Sequence, residues 1–375
     1  MIYLDNAATS FPKAPGVGEA MQYYVNHIGV NINRSVYGPA REAGLTTLIL
    51  RERLSEFFHH GDEDRVILTP GATAALNFAI KGSVKSGDHV IVSSMEHNAV
   101  MRPLVQMGIE FDRIPCDEEG FLELDKLPSL IRPNTRLLIL CHGSNVCGSV
   151  QDAKAVGELC KLHNIPFVLD AAQTAGHIPI DFRELHLSAL AVPGHKGLLG
   201  PQGIGALLVS KEFARDLSPL IAGGTGSMSD SEELPPWLPD RFESGTANLP
   251  GIYGWAEAMD YVNRTMTQRR RHEEELTALF LAGLETLPHI RLVGTKDLSR
   301  RVGVIAIDFL RRDNAEVADD LEQKYEILTR CGLHCAPSAH KTLGTFPQGV
   351  VRFSVGYRTT KEDILTALTA IEAVS

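Results

Sequence analysis

"PFVLDAAQTAGH", residues 166–177, runs through three apolar residues into an acid, two alanines, an amide and a glycine. An apolar run of this length with its first charge at the end reads as a strand buried on both faces, closing at Asp170. The same texture recurs on either side. "RVILTP" (65–70), "HVIVSS" (89–94), "RLLILCH" (136–142), "ALAVP" (189–193) and "GALLVS" (205–210) read as further buried strands. Between the first five strands lie segments with helical spacing, such as "TAALNFAIKGSV" (73–84) and "VQDAKAVGELCKLHN" (150–164). Strand–helix alternation predicts an α/β fold whose mostly parallel sheet is covered on both faces. The last two strands are separated only by a Gly-rich stretch, which predicts an antiparallel pair at one edge.

The texture changes after about residue 255. "WAEAMDYVNRTMTQRRRHEEELTALFLAGLETL" (255–287) is long, charged and helical. A strand in "RVGVIAIDF" (301–309), a helix in "NAEVADDLEQKY" (314–325) and a strand in "VVRFSVGY" (350–357) follow. A closing helix in "TKEDILTALTAIEAV" (360–374) takes Thr360 as its N-cap. These predict a smaller α+β domain over 256–375 beside a large domain over 16–255. The Gly-, Pro- and Ser-rich stretch 225–251 is expected to run over the surface near a site.

With 375 residues, 44% of them hydrophobic, the chain has material for two domains and a large core. A net charge of −10 with both signs interspersed argues against nucleic acid or an anionic membrane as partner. No apolar run is long enough to span a bilayer, and the start carries no secretory h-region. Six irregularly spaced cysteines fit reduced thiols and a cytoplasmic setting rather than a disulfide scaffold.

Four features converge on one chemistry. Asp170 stands at the carboxyl end of a buried strand, where open α/β sheets bind ligands. "PGATAALN" (70–77) ends a strand and opens a helix, so the amides of Ala72 and Thr73 and the Thr73 hydroxyl form a phosphate cradle. His97, in "SSMEHNAVMRPL" (93–104), follows a strand at the same edge and can stack on a ring or move a proton. Lys196 lies 26 residues after Asp170 among glycines that let backbone approach a ligand. A lysine for an aldehyde, an anion for a pyridinium nitrogen, a phosphate cradle and a stacking partner together suit pyridoxal 5'-phosphate. A second His-Lys pair, His340-Lys341, lies in the smaller domain, and Lys341 reads as a surface residue.

"YLDNAAT" (3–9), "GATAALN" (71–77), "EHNAV" (96–100), "SNVCG" (144–148), "LDAAQTAGH" (169–177) and "GHKGLLGPQGIGAL" (194–207) together resemble the class V aminotransferases, and within them the cysteine desulfurases. The resemblance covers nearly the whole chain. It implies the fold type I architecture of pyridoxal-phosphate enzymes, a homodimer with sites at its interface, and an N-terminal segment, 1–15, packed near the small domain and the site. It assigns Lys196 to the cofactor aldehyde, Asp170 to the ring nitrogen, Gln173 to the ring oxygen and His97 to the ring face. Thr73 and His195 match phosphate ligands, and "ESGTAN" (243–248) matches the segment whose Gly245 and Thr246 reach the phosphate across the dimer. Asn145 matches a residue near substrate and ring. Arg352 matches the arginine that forks the substrate carboxylate, a task suited to guanidinium geometry.

"LTRCGLHCAPSAHKTLG" (328–344) resembles the loop that carries the desulfurase nucleophile, with Cys335 in the matching place. The implied reaction takes L-cysteine to L-alanine, with Lys196 removing the Cα proton and the Cys335 thiolate taking the sulfur as a persulfide. Cys331 reads as a packing residue. No metal is expected, because Cys331, His334, Cys335 and His340 lack a known ligand spacing. Two positions depart from the pattern. Pro193 stands where many relatives carry a serine that donates to the phosphate, and Tyr37 where relatives carry a substrate-side histidine. L-Selenocysteine is the alternative substrate. An aminotransferase or epimerase on the same scaffold, or a non-catalytic sulfur relay, are the competing readings. A sulfur-acceptor protein would be the partner.

Overall fold

The computed structural model describes residues 1–32 and 36–375. A seven-stranded sheet dominates the first half, in the spatial order Val66–Thr69, Gly205–Val209, Ala189–Pro193, Phe167–Asp170, Thr135–Cys141, His89–Ser93, Glu110–Ile114. The central strands are mostly apolar and buried along their whole length, because helices cover the sheet from either side. The Gly205–Val209 strand runs antiparallel to both neighbours; all other pairs are parallel. The expected antiparallel pair of 189–193 and 205–209 is present. It is not at the edge, however: Val66–Thr69 adds beyond it and satisfies the backbone groups that would otherwise be open. At the opposite edge, Glu110–Ile114 is a strand without an apolar run, since only one residue of "EFDRI" is buried. That composition suits an exposed edge and conceals the strand from a hydrophobicity reading.

The smaller sheet is antiparallel, in the order Arg330–Gly332, Val350–Ser354, Val304–Phe309, Ile290–Val293. The helices Asn314–Tyr325 and Lys361–Val374 share its apolar core. Thr360 caps the closing helix in a full capping box with Asp363. A 36-residue helix, Leu249–Leu284, joins the two halves. At 1.5 Å per residue it is about 54 Å long, and the anticipated division between 255 and 256 falls inside it. The N-terminus crosses in the other direction: Ile2–Tyr3 pairs in parallel with Ile327–Leu328. No helix among the described residues is long and apolar enough to cross a membrane.

Candidate active site

The parallel strands and Val66–Thr69 all end on one edge of the large sheet, and a cavity of about 600 Å³ opens there. Ala72, Thr73, His97, Asn145, Asp170, Gln173, His195 and Lys196 all line it. They come from five separate stretches of chain, so the sheet topology makes them neighbours.

Each side chain is set by local structure. Asp170 is the last residue of its strand and is 3% exposed. One carboxylate oxygen accepts from the Ala172 N–H at 2.9 Å, and the other has no partner in the described chain. Burial raises its pKa, while the Ala172 N–H and Lys196 oppose the rise. Lys196 Nζ makes no hydrogen bond to the described residues, and burial brings its pKa down to about 8, with Asp170 acting against the fall. His97 caps the helix Asn98–Gln106: its Nδ1 accepts from the Ala99 N–H at 3.0 Å, which leaves the ring proton on Nε2. Burial and the nearby Lys196 lower its pKa to about 4, so the ring is neutral. Gln173 donates one amide proton to the Ala7 carbonyl at 3.0 Å.

Ala72 and Thr73 begin the helix Ala72–Ser83, whose cap position, Gly71, supplies no side-chain hydrogen bond. The amides of its first turn therefore face the cavity without intrahelical acceptors. Pro193 lines the same wall and offers no donor. Gly245 and Thr246 line a separate, adjoining cavity that shares Pro70 and Gly203 with this one. Tyr37 is half exposed, precedes the helix Gly38–Phe57 and does not line the cavity.

Arg352 and Cys335 approach from the smaller sheet. Arg352 is 2% exposed; it donates to the Asn145 carbonyl at 3.0 Å and to Asp5 at 2.7 Å, while its Nε has no partner among the described residues. Cys335 is exposed, in a loop where it and His334 both take left-handed φ (58° and 47°). Two hydrogen bonds hold that loop against the cavity wall: Asn145 Nδ2 donates to the His334 carbonyl at 2.6 Å, and the Asn98 N–H donates to the Cys335 carbonyl at 2.8 Å. Cys331 pairs with Val351 in the sheet and is half-buried, and burial raises its thiol pKa. Lys341 is exposed, 5.1 Å from the centre of the Phe346 ring.

The glycines around Lys196 serve packing as much as ligand access. A Cβ on Gly200 would lie 2.6 Å from the Trp255 ring, and one on Gly197 would lie 2.3 Å from the Ala175 carbonyl. Sequence reasoning missed Arg269, which reaches from the long helix to the carbonyls of Gly197 (3.3 Å) and Gly176 (3.1 Å) and clamps the two segments together. Only its position among three successive arginines marks it in the sequence. Gly176→Ala tests this backbone contact. Its Cβ would meet the Gly197 carbonyl at 2.2 Å and would have to adopt a φ of 81°. A loss of about 2–3 kcal/mol is expected, read as a lower urea midpoint at constant m-value. An unchanged midpoint would show that the segments are not in contact.

The aminotransferase class-V family model matches residues 2–366. A probable cysteine desulfurase of Methanothermobacter thermautotrophicus is 31% identical over 97% of this chain and 92% of its own. A cysteine desulfurase of Klebsiella pneumoniae is 31% identical over 90% of this chain and 84% of its own. The solved apo structure of cysteine desulfurase from Thermococcus onnurineus superposes with a TM-score of 0.92 at 30% identity, covering 99% of this chain and 94% of that one. The chain therefore belongs to the class-V aminotransferases. Within that family it stands among the cysteine desulfurases.

Proposed function

We propose that the cavity binds pyridoxal 5'-phosphate and that the protein converts L-cysteine to L-alanine, leaving the sulfur on Cys335. The observation that carries the cofactor is the donor set. Among the described residues, a Lys196 amine without a hydrogen-bond partner, a buried carboxylate with one free oxygen, a neutral ring at His97 and a helix start with free amides share one cavity. The bound cofactor would supply an aldehyde for the substrate amine and an electron sink for the charge left at its Cα.

The chain's own residues do the rest. Lys196, uncharged above about pH 8, would hold the aldehyde and would then take the substrate's Cα proton. Asp170 would hold the protonated ring nitrogen, and His97 would hold the ring face. Arg352, beside Asn145, takes the substrate carboxylate. Cys335 would attack the substrate sulfur as a thiolate: an S–S bond forms, the C–S bond breaks, its electron pair leaves on Cβ, which accepts a proton, and the proton taken by Lys196 returns to Cα. The products are a Cys335 persulfide and alanine, so atoms and charge balance.

The test is to load the full chain with the cofactor, add L-cysteine and a reductant, and measure alanine and sulfide together. Equal amounts of both support desulfuration. A changed cofactor absorbance without alanine would place the right cofactor with the wrong substrate, and L-selenocysteine would be assayed next.

The homodimer belongs to the same proposal. Tyr23, Val25, Val36, Tyr37, Leu45 and Leu48 are exposed apolar residues within 23–48, an arrangement suited to burial against a second copy. Gly245 and Thr246 would then serve the partner's phosphate site. Sedimentation equilibrium is expected to give twice the 40.9 kDa chain mass; a monomer would leave both residues without that role.

A further inference from the structure

Three side chains of the N-terminal segment meet behind His195. The His195 carbonyl lies within reach of three donors, the Ser10 N–H at 2.9 Å, Lys13 Nζ at 3.0 Å and the Ser10 hydroxyl at 3.1 Å, for two lone pairs. Lys13 Nζ also donates to Thr9 Oγ1 at 3.0 Å and to Ser10 Oγ at 3.2 Å. Thr9 Oγ1 in turn lies 3.0 Å from His195 Nδ1 and 3.2 Å from the crowded carbonyl. The Thr9 hydroxyl proton therefore has Nδ1 as its better acceptor. An imidazole that accepts at Nδ1 carries its one proton on Nε2.

That assignment matters because the ring is neutral. Burial, then Lys196, then Lys13 bring the His195 pKa down to about 4. A neutral imidazole donates from only one nitrogen, and Nε2, with no partner among the described residues, is the nitrogen left for the cavity that His195 lines.

We propose that Lys13, acting through Thr9, is a positioning residue that fixes His195 in its Nε2–H form and so makes it a hydrogen-bond donor to the cofactor's phosphate. Ser10 and Lys13 saturate the backbone acceptor that would otherwise compete for the threonine proton. Without Lys13 one donor leaves the carbonyl and a lone pair opens on Thr9 Oγ1, so the threonine proton turns to the carbonyl and Nδ1 donates to the threonine oxygen instead. Nε2 then turns a lone pair toward an anion. The inference rests on the cavity being a pyridoxal-phosphate site.

The experiment has two readouts. The first is the ¹⁵N spectrum of histidine-labelled full-length protein without cofactor, with the His195 signals identified from His195→Gln. The wild type is expected to show its proton on Nε2, and Lys13→Met and Thr9→Val to shift it toward Nδ1. The second is affinity for pyridoxal 5'-phosphate against pyridoxal, which has no phosphate. Both variants should bind the phosphorylated aldehyde about tenfold or more weaker, the scale of one hydrogen bond to a charged group, and pyridoxal as well as the wild type does. A wild-type proton on Nδ1 would overturn the proposal. So would equal losses for the two aldehydes, which would mark general damage to the fold. Failure of the wild type to bind either aldehyde would instead overturn the cofactor reading, while the tautomer measurement would still stand on its own.

Discussion

Lys196→Ala lowers the turnover of L-cysteine by at least about 10³-fold, the upper range for loss of a positioned acid–base group. Lys196 is the one lysine lining the cavity, and its Nζ bonds to none of the described residues. Alanine release at saturating cofactor and substrate measures the effect, and a small primary amine added to the variant should restore part of it. Turnover within tenfold of the wild type would remove Lys196 from the chemistry.

The same amine predicts a pH dependence. Its pKa is lowered by burial to about 8, so the nucleophilic, uncharged form grows as pH rises through that value and saturates above it. The rate at which cofactor-free protein takes up the aldehyde should follow this curve. Asp170 raises the Lys196 pKa, so Asp170→Asn should move the midpoint to lower pH. A midpoint moved upward would contradict the electrostatics of the pair.

Cys335→Ala lowers the release of both alanine and sulfide by about 10³-fold or more, the scale on which removing a nucleophile acts. Cofactor binding and the absorbance change on adding L-cysteine should survive, because Cys335 lies outside the cavity lining. Cys331→Ala is the matched control: Cys331 packs within the small sheet, so its loss should leave turnover unchanged. Retained alanine release in Cys335→Ala would favour the aminotransferase or epimerase reading, and equal losses in both variants would point to the loop's stability rather than to a nucleophile. The loop's two tethers explain why an exposed cysteine can serve this site. Asn145 and Asn98 hold the carbonyls of His334 and Cys335, so the thiol's backbone is fixed to the wall that carries His97.

Composition and period were enough to place the buried strands that end at Thr69, Ser93, Cys141, Asp170 and Pro193. Each is a short apolar run with a polar or turn residue at its end, and such runs have one stable home, the interior of a covered sheet. Thr360 was equally legible, because a cap acts within one helical turn. The charged edge strand Glu110–Ile114 was not, since four of its five residues are exposed or half-buried and leave no apolar run. Strand ends and residue chemistry singled out Asp170, His97 and Lys196, and the motif resemblance added Cys335. Only the tertiary structure decided which groups stand behind them: Asp5 on Arg352, Arg269 on the Gly176 and Gly197 carbonyls, and Lys13 and Thr9 on His195. Those contacts join residues up to 347 positions apart. A sequence encodes local propensity and hydrophobic period directly, but a hydrogen bond between distant segments exists only once the sheets have set their geometry.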